Sequence, residues 1–334
     1  MERREAIKLI GAAAGALPLM AISSSPVHAV ATHSQTMTTR PIPSSGERIP
    51  VIGLGTWQTF DVGPEPAARA PLESVLREFV TLGGSLIDSS PMYGRAETVA
   101  GELIAKMGIR EKLFVATKVW TSGKAAGIAQ MEDSAAKLNA KLGAKLGAKL
   151  NTKLGAKLNT TLGANAIDLM QVHNLLDMET QLRTLAEWKR HGRVRYVGVT
   201  HYTPSAYDAV AKAIGAHPLD FLQINYSVGE REAEQRLLPM ARERGIAVIV
   251  NRPFAGGGLI RRLAAMPLPT WAAEMDCNSW AQLLLKFVIS HPAVTCAIPA
   301  TAKLEHLRDN MAAGGGRMPD EKMRARLLAA AAMI

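Results

Sequence analysis

Cysteine is nearly missing from this chain. Cys277 and Cys296 are the two in 334 residues, nineteen positions apart. That spacing fits neither a metal-ligand pair nor a redox pair, so both thiols are expected to be small buried hydrophobes. Aromatic residues make up 5%, and no apolar run reaches the ~20 residues a membrane-crossing helix needs. No His-x-His or other close ligand spacing supports a metal site, so none is expected. A nucleotide-binding glycine fingerprint is also lacking. Gly53-Leu54-Gly55-Thr56-Trp57 runs into Gln58-Thr59-Phe60-Asp61 without the third glycine that an open doubly wound sheet would use.

What is present is a basic, hydrophobic chain with a formal charge of +10 and 48% apolar residues, long enough for one large core. Six of the lysines belong to a single repeated tract and are not interleaved with aromatics, so no nucleic-acid partner is expected. The first thirty residues stand apart. Arg3 and Arg4 precede an Ala-rich apolar run through Ile22, and small residues then follow at Ala29-Val30-Ala31. The pattern is that of a cleavable twin-arginine export signal over 1–31. It implies the export machinery as a partner, a periplasmic destination and no stable membrane insertion after cleavage. The alternative is a cytoplasmic protein with an amphipathic start. Residues 32–47, rich in Ser, Thr and Pro, are expected to form a flexible linker.

From residue 48 to 334 the pattern is that of one domain. Short β-branched runs at 51–55, 85–89, 113–118, 167–172, 195–200, 221–225, 246–251 and 294–298 alternate with helical periodicity at 70–82, 95–107, 178–191, 205–215, 230–244 and 272–290. Eight strands with crossover helices and no dinucleotide fingerprint predict an α/β fold of the (β/α)8 TIM-barrel type. One tract interrupts the pattern. Lys137 to Thr160 is six tandem units, KLNA, KLGA, KLGA, KLNT, KLGA and KLNT, followed by TLGA. A four-residue repeat moves each leucine about 40° around a helix, and each glycine costs about 1 kcal/mol against alanine. The tract, 137–163, is expected to lengthen the helix before the fourth strand as a frayed insertion.

Asp88 ends the second run, Lys118 the third and His173 the fourth, while Tyr93 leaves the same strand end as Asp88. In a parallel barrel these ends meet on the face where active sites are built. The four types form a coherent proton-donating unit. A phenol with an ordinary pKa of about 10 is made a better acid by a neighbouring ammonium. A carboxylate keeps that ammonium charged, and an imidazole orients and polarises a carbonyl oxygen. Singly, each has a plain alternative as a packing aromatic, a core histidine or a structural ion pair. Together they point to one site.

At these residues the chain resembles the aldo-keto reductase family. The likeness spans about residues 48–313 and rests on IPVIGLGTWQ, SLIDSSPMYG, FVATKVW, IDLMQVHN, GRVRYVGVTHYTP, FLQINYSV and AIPATAKLEHLRDN. It implies a reductase of aldehydes or ketones that uses NADPH, with NADH as the alternative, and takes a small carbonyl substrate. It implies Asp88, Tyr93, Lys118 and His173 as the catalytic tetrad. Asn174, Thr200 and Gln223 would meet the nicotinamide and Tyr226 would stack on its ring. Gly55 and Thr56 fall in the first matching segment. Arg252, Pro253, Gly257 and Leu259 belong to a loop lying over the pyrophosphate. Pro299, Thr301, Lys303, His306 and Asn310, with Arg308 nearby, lie where the family holds the adenosine. Thr200-His201 replaces the family's Ser-Asn, and Ala300-Thr301 its Lys-Ser pair. Trp57 and Trp120 are candidate substrate-pocket walls. Two rival readings remain: a cofactor-binding sensory or regulatory subunit with little turnover, and a metal-dependent barrel hydrolase or lyase.

Overall fold

The computed structural model describes residues 36–140 and 166–331. The leader over 1–31 and most of the repeat tract lie outside these residues. Eight parallel strands run in chain order around one sheet: β3 (Leu54–Gly55), β4 (Leu86–Asp88), β5 (Phe114–Val119), β6 (Ile167–His173), β7 (Val194–Thr200), β8 (Phe221–Asn225), β9 (Ala247–Asn251) and β10 (Val294–Ala297). The first and last strands meet. Parallel bridges join Ile52 to Ala297 and Gly55 to Ala300, and the Gly53 amide donates to the Ala297 carbonyl at 2.8 Å. The sheet is therefore a closed (β/α)8 barrel, as the strand spacing predicts.

Strand alternation sorts the side chains. Leu86, Phe114, Ala116, Leu169, Tyr196, Phe221, Ala247, Ile249, Cys296 and Ile298 form one buried cluster, the barrel interior. The intervening Ile87, Val115, Met170, Val172, Val197, Val199, Leu222, Ile224, Val248 and Val250 pack with the helices in a second, larger cluster. Continuing the inward set to the carboxyl ends brings Asp88, Lys118, His173, Thr200, Gln223 and Asn251 onto one layer. Both cysteines are buried and free.

The expected linker is instead a structural element from Thr39 onward. β1 (Thr39–Pro41) pairs antiparallel with β2 (Arg48–Pro50), and the hairpin drives Ile42 and Ile49, both fully buried, into the interior cluster. The Tyr196 hydroxyl donates to Glu47 at 2.7 Å and lies 2.7 Å from Ser45 Oγ, and Arg195 pairs with Glu47. The polar composition reflects the outer side of a plug at the amino ends of the strands; two isoleucines were the signal of its inner side.

Among the described residues the helices are α1 (Pro66–Thr81), α2 (Ala96–Met107), α3 (Lys124–Lys137), α4 (Met178–Arg190), α5 (Tyr207–Ala216), α6 (Leu237–Glu243), α7 (Gly258–Leu263), α8 (Trp280–Ser290), α9 (Leu304–Ala312) and α10 (Glu321–Ala331). Of these α7, α9 and α10 fall outside the six stretches of helical periodicity, and α3 is the helix that precedes the repeat tract. In α3 the buried face is Gly127, Met131, Ser134 and Ala135, too small and polar to register. Residues 272–290 divide into a 3-10 segment, Thr270–Met275, and α8.

Residues 141–163 of the tract lie outside the described residues; the part within them, 137–140, carries the end of α3. The helix closes within the first KLNA unit: Asn139 turns left-handed at φ 51°, its amide donates to Ala136 O at 3.1 Å, and the Ala140 amide reaches Ala135 O at 2.8 Å. This double reversal is a Schellman cap, and Asn is a residue that tolerates it. Leu138 and Ala140 are buried in the core, which anchors the point where the tract begins.

Gly101 of α2 sits against that same helix end. A Cβ there would stand 1.9 Å from Lys137 O and 2.8 Å from Leu138 Cα. The ~1 kcal/mol that alanine gains in helix propensity is smaller than the cost of separating two backbones. Gly101→Ala is expected to lose about 1–2 kcal/mol net, within the range for overpacking. Thermal unfolding would show a lower Tm, by roughly 2–4 °C per kcal/mol; an unchanged or higher Tm would contradict the packing.

Candidate active site

Lys118 is fully buried inside the barrel mouth. Its Nζ donates to Asp88 Oδ2 at 2.7 Å and to Ser89 O at 2.6 Å. The other carboxylate oxygen, Oδ1, accepts from Gln223 Nε2 at 2.8 Å and Gln171 Nε2 at 3.5 Å. Gln223 Oε1 in turn accepts from Thr200 Oγ1 at 3.0 Å. Five adjacent strands, β4 to β8, thus contribute to a single polar layer.

Tyr93 lies above this layer. Its loop is short and closed at both ends: the Tyr93 amide donates to Ser90 O at 3.0 Å, and its carbonyl accepts from Ala96 N at 3.1 Å as α2 begins. Lys118 Nζ is 5.1 Å from the Tyr93 ring centroid. The His173 ring meets Tyr93 edge-on, with centroids 5.8 Å apart and planes at 85°. Ser90 Oγ lies 2.9 Å from His173 Nδ1. The four residues anticipated from strand ends are therefore brought together.

Burial pushes the Tyr93 phenol above its ordinary value, and the Lys118 charge pulls part of that back. For Lys118 burial alone would disfavour the ammonium, but Asp88 and Tyr93 outweigh it and the net direction is upward. His173 is pushed down to about 2, first by burial and then by Lys118 and His201. The site holds a charged lysine beneath a protonated phenol, with a neutral imidazole alongside.

These groups open on a cavity of about 400 Å³. Trp57, Gln58, Thr59 and Met92 line it near Tyr93, and Asn251, Arg252, Pro253, Phe254, Gly256 and Gly257 line it with the β9 loop. Gly55, Thr56, Asn174, Thr200, Gln223 and Pro299 are also in the lining. Arg252, Ala255, Gly256 and Gly257 all adopt positive φ, between 49° and 84°, a tight coil for which the two glycines are suited. Asn174 Oδ1, Asn251 Oδ1 and Arg252 Nε are buried without partners. Two acceptors and one donor are thus left for a polar guest.

Other expected contacts fall elsewhere. Tyr226 is fully buried on the outside of the barrel, stacked on Phe287 at 5.7 Å, and its hydroxyl bonds Glu234 and Arg324. It lies three residues beyond Gln223, so strand parity sends it the other way and it cannot stack on a ring in the cavity. Gln223 does reach the cavity, but its amide is engaged with Asp88 and Thr200. Thr56 is likewise engaged: its hydroxyl donates to Asp88 O at 3.0 Å and lies 2.9 Å from the Ser89 hydroxyl. Leu259 buries its side chain in the core, leaving only backbone for any contact. Thr301, Lys303, His306 and Asn310 stand outside the lining. Thr301 Oγ1 accepts from Lys303 N at 3.0 Å, Lys303 and His306 are exposed and Asn310 is buried. Arg308 turns to Glu78 at 2.7 Å.

Ser90, Gln171 and Asn251 were not anticipated. Each lies an even number of residues from an inward site residue, Asp88, His173 or Ile249, so period-two counting from the strand ends was the available signal. Trp57 and Trp120, offered as walls, are 45% and 40% exposed. Trp57 lines the cavity, and the Trp120 ring is 6.5 Å from that of His173. Among the described residues no cluster of His, Cys, Asp and Glu forms a metal centre, and no helix is long and apolar enough to cross a membrane.

Similarity to known proteins agrees with the architecture. The methylglyoxal reductase YeaE of Escherichia coli (strain K12) is 28% identical over 271 residues, covering 79% of this chain and 85% of that protein. An aldo/keto reductase from Klebsiella pneumoniae, solved in complex with NADP and acetate, superposes with a TM-score of 0.66 at 26% identity, covering 84% of this chain and 91% of the other. An aldo-keto reductase from Klebsiella pneumoniae in complex with NADPH gives the same score and identity over 87% and 94%. The aldo/keto reductase family model matches residues 51–326, so the chain belongs to the aldo/keto reductase family.

Proposed function

We propose that this protein is an NADPH-dependent reductase of aldehydes or ketones in which Tyr93 delivers the proton. The observation that carries the reading is the stack of a cavity-facing phenol over a fully buried, ion-paired ammonium. Family membership and NADP-bound relatives support it. The residues fit the cofactor: the unpartnered atoms of Asn174, Asn251 and Arg252 offer hydrogen bonds to a carboxamide, a ribose or a phosphate. Exposed Lys303 and His306, at the amino end of α9, have no ion pair among the described residues and suit the 2′-phosphate. NADH is the alternative should that anion not be held.

Bound NADPH would supply hydride to the carbonyl carbon. Tyr93 gives its hydroxyl proton to the carbonyl oxygen as charge develops there. The phenolate left behind is stabilised by Lys118, and Asp88 keeps Lys118 charged through the cycle. Neutral His173 presents an N–H to the same oxygen and orients it. Trp57, Met92 and Phe254 shield the reacting face from water. The lone positive side chain in the lining, Arg252, belongs to the cofactor side.

Export remains part of the proposal on sequence grounds. Arg3, Arg4 and the apolar run after them direct the chain to the periplasm, with retention in the cytoplasm as the alternative. Exchanging both arginines for lysine should leave the chain in the cytoplasmic fraction. Equal distribution of wild type and variant would refute a twin-arginine leader.

For the chemistry, Tyr93→Phe should lower kcat by about 10²–10⁴-fold while NADPH binding, read by fluorescence, is kept. Wild type that binds NADPH and turns over no carbonyl would favour the sensory reading. The pH profile supplies a separate check. A phenol raised above its ordinary value of about 10 is the acid below its folded pKa, so reduction is lost only as pH rises through that value. With His173 pushed down to about 2, kcat for reduction should show no histidine inflection between about pH 5 and 8. A step near 6.5 would contradict the neutral imidazole.

A further inference from the structure

The position of the His173 proton is not set by the tetrad. A neutral imidazole carries one N–H, and its two tautomers present opposite faces to a carbonyl oxygen: Nε2–H donates, whereas a bare Nε2 repels. Asp88, Lys118 and Tyr93 make no hydrogen bond to the ring among the described residues. Ser90 does, at 2.9 Å from Nδ1.

Ser90 is fully buried, and its oxygen receives the Met92 amide at 3.3 Å. That bond gives the oxygen a donor, so its own proton needs an acceptor. Among the described residues Nδ1 is the acceptor within reach. If the ring instead donated from Nδ1, the Ser90 proton would be buried without a partner, an arrangement proteins rarely keep. The loop makes this geometry local and rigid. Ser90 is two residues beyond Asp88, on the same inward parity, and its carbonyl accepts from the Tyr93 amide at 3.0 Å. One residue therefore closes the turn that carries the acid and touches the ring beside it.

We infer that Ser90 is a positioning residue that donates its hydroxyl proton to His173 Nδ1 and so holds Nε2–H toward the cavity. The assignment rests on the reductase reading of the site. No bond is made or broken by Ser90; it fixes which nitrogen of His173 donates, and the benefit is realised when the carbonyl oxygen gains charge. The carbonyl is also oriented by Nε2–H before hydride arrives, so the effect falls on kcat more than on binding. The buried, neutral state of the ring, driven by burial and Lys118, is what makes the tautomer the remaining variable.

The test uses full-length protein labelled with ¹⁵N-histidine. The His173 signals are identified by their loss in His173→Asn, and turnover and NADPH affinity are measured in parallel. Wild type should show a protonated Nε2 and a hydrogen-bonded, unprotonated Nδ1. Ser90→Ala should shift His173 toward a tautomer mixture and lower kcat about 10–100-fold, as loss of a partner that orients an imidazole does. KM and NADPH affinity should stay within about twofold. A wild-type proton on Nδ1 overturns the assignment even if the variant fails to fold. An unchanged spectrum and kcat in Ser90→Ala overturn it too. Absence of turnover in wild type overturns the reductase reading instead, and the spectrum tells the two failures apart.

Discussion

The arrangement depends on one buried ion pair. Placing an ammonium and a carboxylate inside a barrel removes both from water, and their mutual attraction compensates only when the remaining hydrogen-bonding capacity is met. Here it is met. Lys118 takes a second acceptor in Ser89 O, and Asp88 takes amide donors from Gln223 and Gln171. The residues that surround the pair are thus those that make it tolerable, and they come from strands spread over 135 positions of sequence. Removing one partner would leave an uncompensated charge and fold back on every neighbour. The same pair gives the phenol above it a fixed positive charge, so stability of the mouth and acidity of Tyr93 have one origin.

The two ends of the barrel divide the work. At the amino ends the interior is apolar and closed by Ile42 and Ile49, with Arg195, Glu47 and Tyr196 fastening the hairpin. At the carboxyl ends the inward positions turn polar and the loops open. Between them runs an interior of Leu, Phe, Ala and Ile that leaves little room for water beneath Lys118. A closed floor and an open mouth keep the charge pair dry from below and reachable, through Tyr93, from above. The β9 loop adds the second half of the mouth. Its run of positive φ values coils it tightly, and Arg252, paired through its terminal nitrogen with Glu230 at 3.6 Å, keeps its Nε without a partner.

The Schellman cap at Asn139 shows how an unusual tract can be accommodated. The first repeat unit ends α3 and buries Leu138 and Ala140, so whatever follows begins from a fixed point. The barrel stays continuous from α3 to β6 because the insertion enters and leaves on a connection rather than within a strand.

The sequence by itself determined the eight strands, since each lies in a short apolar run bounded by less apolar stretches, and it placed Asp88, Lys118 and His173 at strand ends with Tyr93 beside them. Alternation of side chains along a strand is a local property, so it was readable and would also have marked Ser90, Gln171 and Asn251 as inward and Tyr226 as outward had it been counted past the apolar residues. α3 carries little apolar signal because Gly127 and Ser134 stand on its buried face, and a helix as short as α7 takes its stability from what it packs against. The hairpin plug was hidden for the same reason: its strands are three residues long and find their core only beneath the barrel. Tertiary structure alone decided which hydrogen-bond capacity is used and which is left over. Gln223 is consumed by Asp88, Arg308 is drawn to Glu78 and Arg252 is paired in part by Glu230, while Asn174 Oδ1 and Arg252 Nε are left over, because partners distant in sequence meet only when the barrel closes.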